Sequence, residues 1–213
     1  MTKTQLKKYY GESLRNLIIA IEGIDGVGKT TTAKLLAKEL GGEYVHTPLS
    51  DFKVCRELFE NKNPVSRLFF YISALWDAWY EIDKISKEKI VIIDRYLLST
   101  KVYHLVLLKR YAPNFTNMLK EQFDSITPPR ADLNICLKVS ENTILQRLRN
   151  KDVKFDTKLE KDRTFQNEVA EMFYTLSDVT IDVDNKDPFE TVDAIKRFFF
   201  QLENLDKTVS YVI

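Results

Sequence analysis

Apolar residues fall along this chain in two rhythms. Residues 17–21, 90–93, 133–139 and 179–183 are short, nearly continuous apolar runs bounded by charged or turn-forming residues, the pattern of strands buried on both faces. Residues 43–46 predict a further short strand after the turn signal Gly41-Gly42. Between the runs the spacing changes to three and four: Ala33, Leu36, Ala37 and Leu40; then Leu68, Ile72, Leu75, Trp79 and Ile82; then Phe165, Val169, Met172, Phe173 and Leu176. Each set is the core-facing stripe of a helix. Helices are also expected over 51–60, over 97–110 and 114–124 on either side of Pro113, from a Ser140 cap to about residue 150, and from Asp187-Pro188 to 205.

Strands alternate with helices throughout. That order predicts an α/β fold: a three-layer arrangement with a five-stranded parallel sheet covered by helices on both faces, as one domain over 1–213 without linker or repeat. Residues 151–161 are polar and charged without apolar period and read as a mobile loop, a lid over about 150–162. Residues 1–15 read as a short polar, basic arm.

With 32 basic against 31 acidic residues, the net charge of +1 leaves no electrostatic footprint for nucleic acid, so any basic residue that matters must act locally. Cys55 and Cys136 are too few and too far apart for a disulfide framework or metal cluster and fit a reducing, cytoplasmic setting. No membrane partner is expected, because the apolar stretch 68–80 is broken by Asp77 and the run 17–21 is too short for a signal sequence.

The chemistry starts at residues 23–30, Gly-Ile-Asp-Gly-Val-Gly-Lys-Thr, a complete G-x-x-x-x-G-K-[ST] phosphate loop. Three of the chain's six glycines, Gly23, Gly26 and Gly28, lie in it. An apolar strand precedes it and a helical pattern follows, the context in which main-chain N–H groups and a helix N-terminus converge on a phosphate. The ATP site is therefore assigned to Gly23, Ile24, Asp25, Gly26, Val27, Gly28, Lys29, Thr30 and Thr31. Lys29 is expected to reach the β- and γ-phosphates, and Thr30 to offer its hydroxyl to Mg²⁺. Lys29 is also expected to face solvent and phosphate rather than core. Asp94, at the tip of the strand 90–93, suits a Mg²⁺-water ligand, and Arg95 beside it can fork onto a second phosphate. The alternatives at these two positions are a helix cap for Asp94 and a surface ion pair for Arg95.

The segment from Asp94 to His104, Asp-Arg-Tyr-Leu-Leu-Ser-Thr-Lys-Val-Tyr-His, together with 21–31, Ile-Glu-Gly-Ile-Asp-Gly-Val-Gly-Lys-Thr-Thr, resembles the thymidylate kinase family. That family carries an EG-x-D/E-G-x-GK-T loop and a D-R-[YFH]-x-x-S-x-x-A-Y-Q segment. The strand at 132–139, the helix with Leu145-Gln146-Arg147-Leu148-Arg149 and the helix 165–176 extend the likeness over about residues 17–205. The resemblance implies transfer of the ATP γ-phosphoryl to dTMP, giving dTDP and ADP with Mg²⁺, in a homodimer formed through helices beside the sheet, for which 68–82 is the candidate. It implies that Asp25 accepts the sugar 3′-hydroxyl, Tyr103 crowds the 2′ position, Phe70 (or Phe69) stacks on the base, Arg95 and Ser99 serve the acceptor, and Arg147 lies over the adenine. Where some relatives carry a catalytic arginine in the loop, this chain has Val27. The cation is then expected from the lid: Arg149 and Lys151 first, then Lys154, Lys158 or Arg163.

The chain departs from the family pattern at His46 and Ala74, where arginines stand, and Arg67 is the candidate to replace the second. These departures leave room for a kinase of another nucleotide or of a deoxynucleoside, and for a nucleotide-binding protein without catalysis. A GTP-dependent switch would need D-x-x-G after Asp94 and N-K-x-D; Asn185-Lys186-Asp187-Pro188 misses the second by one residue and reads as a helix cap.

Overall fold

The computed structural model describes residues 17–149 and 162–209, with the side chains of 145, 148, 149 and 200–209 set aside. All five expected strands are present: β1 (Ile18–Glu22), β2 (Glu43–His46), β3 (Val91–Asp94), β4 (Leu133–Lys138) and β5 (Val179–Asp182). They form one parallel sheet in the order β2-β3-β1-β4-β5. The register sets Ile21 beside Asp94, Glu22 beside Cys136 and His46 beside Asp94. Polar side chains that end three strands thus meet at one carboxyl edge, where ligands of such sheets bind.

The helices among the described residues are α1 (Lys29–Leu40), α2 (Lys53–Glu60), α3 (Pro64–Ser86), α4 (Leu97–Tyr111), α5 (Pro113–Ile126), α6 (Glu141–Arg149), α7 (Arg163–Leu176) and α8 (Pro188–Val209). Their ends follow local chemistry. Gly41 closes α1 in the left-handed region, returning its N–H to Ala37 and Lys38 carbonyls. Asn63 caps α3 by accepting the Ser66 N–H at 2.9 Å, and Asp162 caps α7 by accepting that of Phe165 at 2.9 Å. Asp187 and Glu190 exchange hydrogen bonds as a capping box on α8, which is what the near-miss N-K-x-D stretch does. Two expectations shift: the helix predicted over 51–60 is split into a tight 3-10 turn at Ser50–Phe52 and α2, and Pro113 opens α5 in its first turn instead of only separating two helices.

Successive strand residues point to opposite sides of the sheet. Ile19, Ile21, Ile92 and Ile135 join Leu36 and Leu40 of α1 and Phe199 of α8 in one buried cluster, extended by Phe165 and Phe173 of α7. Ile18, Ala20, Val91 and Ile93 join Leu68 and Leu75 of α3, Leu105 of α4 and Phe123 of α5 in the other. Both clusters brace the carboxyl edge from below. Leu36, with 0% exposure, is the middle of the α1 stripe. Leu36→Ala should lower the unfolding free energy by about 2–5 kcal/mol in urea titrations; a loss under about 1 kcal/mol would mean that α1 is not packed as described.

Candidate active site

The loop between β1 and α1 has the backbone its glycines allow. Gly23, Gly26 and Gly28 have φ of 131°, 85° and 100°, a region closed to most side chains. A Cβ on Gly23 would stand 2.9 Å from the Leu137 carbonyl oxygen, so β4 also excludes any larger residue there. Gly28 is the N-cap of α1 and carries no capping side chain, leaving the helix's first amides to serve an anion. Ile24 and Val27 anchor the loop in the core, whereas Thr30 and Thr31 are exposed.

Lys29 corrects the sequence expectation. It is only 6% exposed, because the loop curls over it, and its amine donates to the Ile24 carbonyl at 2.6 Å. Loss of hydration, with Arg95 nearby, lowers its pKa to about 8 against the opposing pull of Asp25, Asp94 and Glu22.

A second cation faces the loop. Arg95 follows β3 with φ 64°, a left-handed conformation that costs a non-glycine residue about 1–3 kcal/mol. Its backbone is held by the Ile21 carbonyl, which accepts its N–H at 3.1 Å, and by Thr47, whose hydroxyl donates to its carbonyl at 2.6 Å. Its guanidinium donates to Asp25 Oδ1 through Nη2, approaches Ser99 Oγ at 3.5 Å through Nη1, and lies 5.7 Å from the Tyr103 ring centroid. Asp25 therefore stands between the cations, with Lys29 Nζ 3.9 Å from Oδ1 and the Tyr103 hydroxyl donating to Oδ2 at 3.3 Å. Partial burial works to raise the Asp25 pKa, but Arg95 and then Lys29 overcome it and bring it to about 2.

Asp94 is buried at the end of β3 and does not cap a helix. Its Oδ2 accepts from Thr30 Oγ1 at 2.6 Å and Tyr44 Oη at 3.2 Å, with His46 Nδ1 at 3.3 Å; its Oδ1 is buried without a partner among the described residues. Burial opposes ionisation here too, yet the hydrogen bonds from His46 and Thr30 and the charge of Lys29 lower the pKa to about 2. The capping of α4 falls to Glu22, a fully buried residue that sequence reasoning passed over: its Oε1 accepts the Tyr96 and Ser99 N–H groups at 2.9 and 3.3 Å, and its Oε2 accepts the Ser99 hydroxyl. Burial raises the Glu22 pKa, with Ser99, Tyr96 and Arg95 pulling it back.

The remaining expected residues divide. Phe70 is buried and stacked on Phe59 of α2, with centroids 4.9 Å apart and planes 7° apart, whereas Phe69 points outward at 50% exposure. Arg67 is tied to Glu60 by an ion pair of 2.7 Å and lies over the Tyr71 ring, so its charge is already engaged. Ala74 is fully buried between α3 and its neighbours. Arg147 donates to the Val27 carbonyl at 2.8 Å and the Lys186 carbonyl at 3.3 Å, which brings it against the phosphate loop. Arg163 is paired with Glu141 at 2.9 Å. Lys151, Lys154, Lys158 and the side chain of Arg149 lie outside the described residues. Tyr44 is the member of the site with no sequence motif to mark it; Glu22 stands in the quoted loop motif and His46 at a family arginine position, but the part each plays is visible only through strand register.

The arrangement joins a glycine cradle of main-chain amides, a guanidinium facing it, and a carboxylate–hydroxyl pair within reach of the guanidinium. The Thymidylate kinase family model matches residues 21–194 of the chain. The chain is 33% identical over 144 residues to a probable thymidylate kinase of Methanocaldococcus jannaschii, spanning 65% of this chain and 72% of that protein. It is 32% identical over 167 residues to one of Metallosphaera sedula, spanning 75% and 79%. Its fold is similar to that of a thymidylate kinase from Candida albicans (TM-score 0.66, 19% identity, 91% of this chain and 93% of that one). It is also similar to that of a deoxyadenosine kinase from M. mycoides (TM-score 0.67, 21% identity, 87% and 100%). Phosphate loop, strand-end Asp-Arg pair and match together place this chain in the thymidylate kinase family.

Proposed function

We propose that the chain transfers the γ-phosphoryl group of ATP to the 5′-phosphate of dTMP, producing ADP and dTDP. The observation that carries this reading is Asp25 shared by Lys29 and Arg95: two cations converge on one carboxylate oxygen, Oδ1, one from the phosphate loop and the other from the end of β3. Phosphoryl transfer asks the protein to hold two polyanions in line and to neutralise the charge between them, with little covalent work of its own. Lys29 and the α1 amides take the triphosphate, and Arg95 takes the acceptor phosphate. Asp25 holds both cations in place before nucleotides arrive and then serves the acceptor sugar, beside Tyr103. Phe70 flanks the base. The loop offers Val27 where a charge is needed, which assigns the further cation, by family likeness, to Arg149 or Lys151.

The residues present fit a magnesium ion. Among the described residues no group of three or more His, Cys, Asp or Glu side chains gathers as a metal site. Thr30 and Asp94 lie side by side, with Asp94 Oδ1 unpartnered among the described residues. One carboxylate and one hydroxyl suit Mg²⁺, which keeps several waters and takes its other ligands from phosphates. The ion supplies neutralisation of phosphate charge, and Tyr44 and His46 keep the Asp94 carboxylate turned toward Thr30.

The base of the acceptor is the point at which the alternatives keep support, since Ala74 brings no charge to α3 and Arg67 is engaged elsewhere. A coupled ADP-release assay across nucleoside monophosphates and deoxynucleosides should show fastest turnover with dTMP; thymidine accepted in place of dTMP, or ATP binding without any turnover, contradicts the reading. Lys29→Ala should reduce turnover by at least about a hundredfold, the effect of losing one preorganised charge on the transferring group.

We also infer a homodimer in the cytoplasm. Phe69, Trp76 and Tyr80 present an exposed aromatic stripe on α3, and among the described residues both cysteines are free. Sedimentation should report a dimer that Phe69→Asp with Tyr80→Asp converts to monomer; a monomeric wild type removes this part.

A pH prediction follows from Lys29. Its pKa of about 8 lies below the ordinary lysine value of 10.5, so between those limits the folded protein has released a proton that the unfolded chain retains. Nucleotide-free protein therefore gains stability as pH rises through that window. A bound triphosphate favours the charged amine and reverses the release. Calorimetry near pH 8.5, in buffers of different ionisation enthalpy, should show ATP binding with uptake of a fraction of a proton, absent in Lys29→Ala; equal uptake in both proteins contradicts the assignment.

A further inference from the structure

Glu22 closes β1 immediately before the phosphate loop and has no exposed surface. A buried carboxylate is unfavourable unless its oxygens are satisfied, and these are satisfied in a directed way. Oε1 accepts two main-chain N–H groups from the start of α4, those of Tyr96 and Ser99. Oε2 accepts the hydroxyl hydrogen of Ser99. A serine hydroxyl has one hydrogen, so once it is given to Glu22 the oxygen presents only lone pairs to its other neighbour. That neighbour is Nη1 of Arg95, at 3.5 Å. The polarity runs one way: Arg95 N–H toward Ser99 oxygen, Ser99 O–H toward Glu22. Burial raises the Glu22 pKa, and the Ser99 hydroxyl, the two N–H groups and the Arg95 charge work against it, toward the ionised carboxylate.

We propose that Glu22 is a positioning residue for the acceptor-phosphate guanidinium. It sets the direction of the Ser99 hydroxyl, holds the first turn of α4 against β1, and thereby keeps Arg95 in its left-handed conformation with the guanidinium facing Asp25. Because Gly23 is the next residue, the same carboxylate ties the acceptor arginine to the donor loop. Ser99, expected from family likeness to serve the acceptor, acts through Arg95. The inference rests on Arg95 as the acceptor-phosphate group proposed above.

Glu22→Gln keeps the shape and breaks the relay. The new carboxamide nitrogen donates to Ser99 Oγ, so the hydroxyl hydrogen loses its acceptor and the lone pair offered to Arg95 is no longer held in one direction. Steady-state kinetics should show the KM for dTMP raised about ten- to a hundredfold, the range for one hydrogen bond to a charged group. The Kd for ATP, measured by calorimetry, should stay within about twofold, a spread expected of neutral changes. Ser99→Ala should raise the dTMP KM in the same way, and Ser99→Thr, which retains the hydroxyl, should restore it. The double variant Glu22→Gln/Ser99→Ala should be no worse than the more severe single one, because both break one chain. Arg95→Ala separates the two levels. If it leaves the dTMP KM unchanged, the proposed function of Arg95 fails, and this inference with it. If it raises the KM while Ser99→Ala and Glu22→Gln do not, only the positioning role fails. A parallel loss of ATP and dTMP affinity in Glu22→Gln marks a general structural role and overturns the proposal. Should Glu22→Gln not fold, Ser99→Ala against Ser99→Thr decides alone.

Discussion

Two cations, Lys29 and Arg95, are held close together away from bulk water, and the site depends on the carboxylate between them. Without Asp25 the charges would repel in a medium that screens poorly. With it, each has a partner on the same side chain, and the pKa of Asp25 falls to about 2. The site is thus built around a negative charge before any phosphate enters. In the proposed reaction polyanions then meet donors already in place, and little reorganisation is required at the moment of transfer.

The fold supplies the restraint. Parallel register brings Glu22, His46 and Asp94 to one edge. Gly23, Gly26 and Gly28 bend the donor loop through positive φ, and Arg95 adopts a similar conformation without being glycine. Strain of this kind persists only when neighbours over-determine it, and here Ile21 of β1, Thr47 after β2 and Asp25 of the loop hold Arg95 directly, while Glu22 of β1 holds the residues that follow it. The phosphate loop and Arg95 are consequently joined through β1 and β3, not through a flexible connection.

Much of this architecture was legible in the sequence. A parallel sheet is covered on both sides, so its central strands appear as unbroken apolar runs, and the helices betray themselves by stripes such as Leu68, Ile72 and Leu75. The phosphate loop was legible because glycine spacing is itself the physical requirement. What escaped was what register decides. Tyr44 looks like an ordinary residue of a short strand, and His46 only like a missing arginine, until β2 is paired with β3 and both reach Asp94. Glu22 looks like the charged end of an apolar run, yet it is buried, because α4 begins above it with amides in need of an acceptor. The burial of Lys29 was missed for a related reason: a lysine is expected outside, and only the curl of the loop shows otherwise. Helix ends were the other weak point, since α8 continues past the expected 205 to Val209.

The claim underlying all of this is that the site receives two phosphorylated ligands at once, tail to tail. A bisubstrate compound, adenosine and thymidine joined through their 5′ positions by a chain of phosphates, tests it most directly. Linking two ligands that bind simultaneously should give affinity well beyond either alone, by about a hundredfold or more. Calorimetry should therefore find the bisubstrate compound binding far more tightly than ATP or dTMP, with the gain lost in Arg95→Ala. Affinity no greater than that of ATP, unchanged by that substitution, would contradict the account.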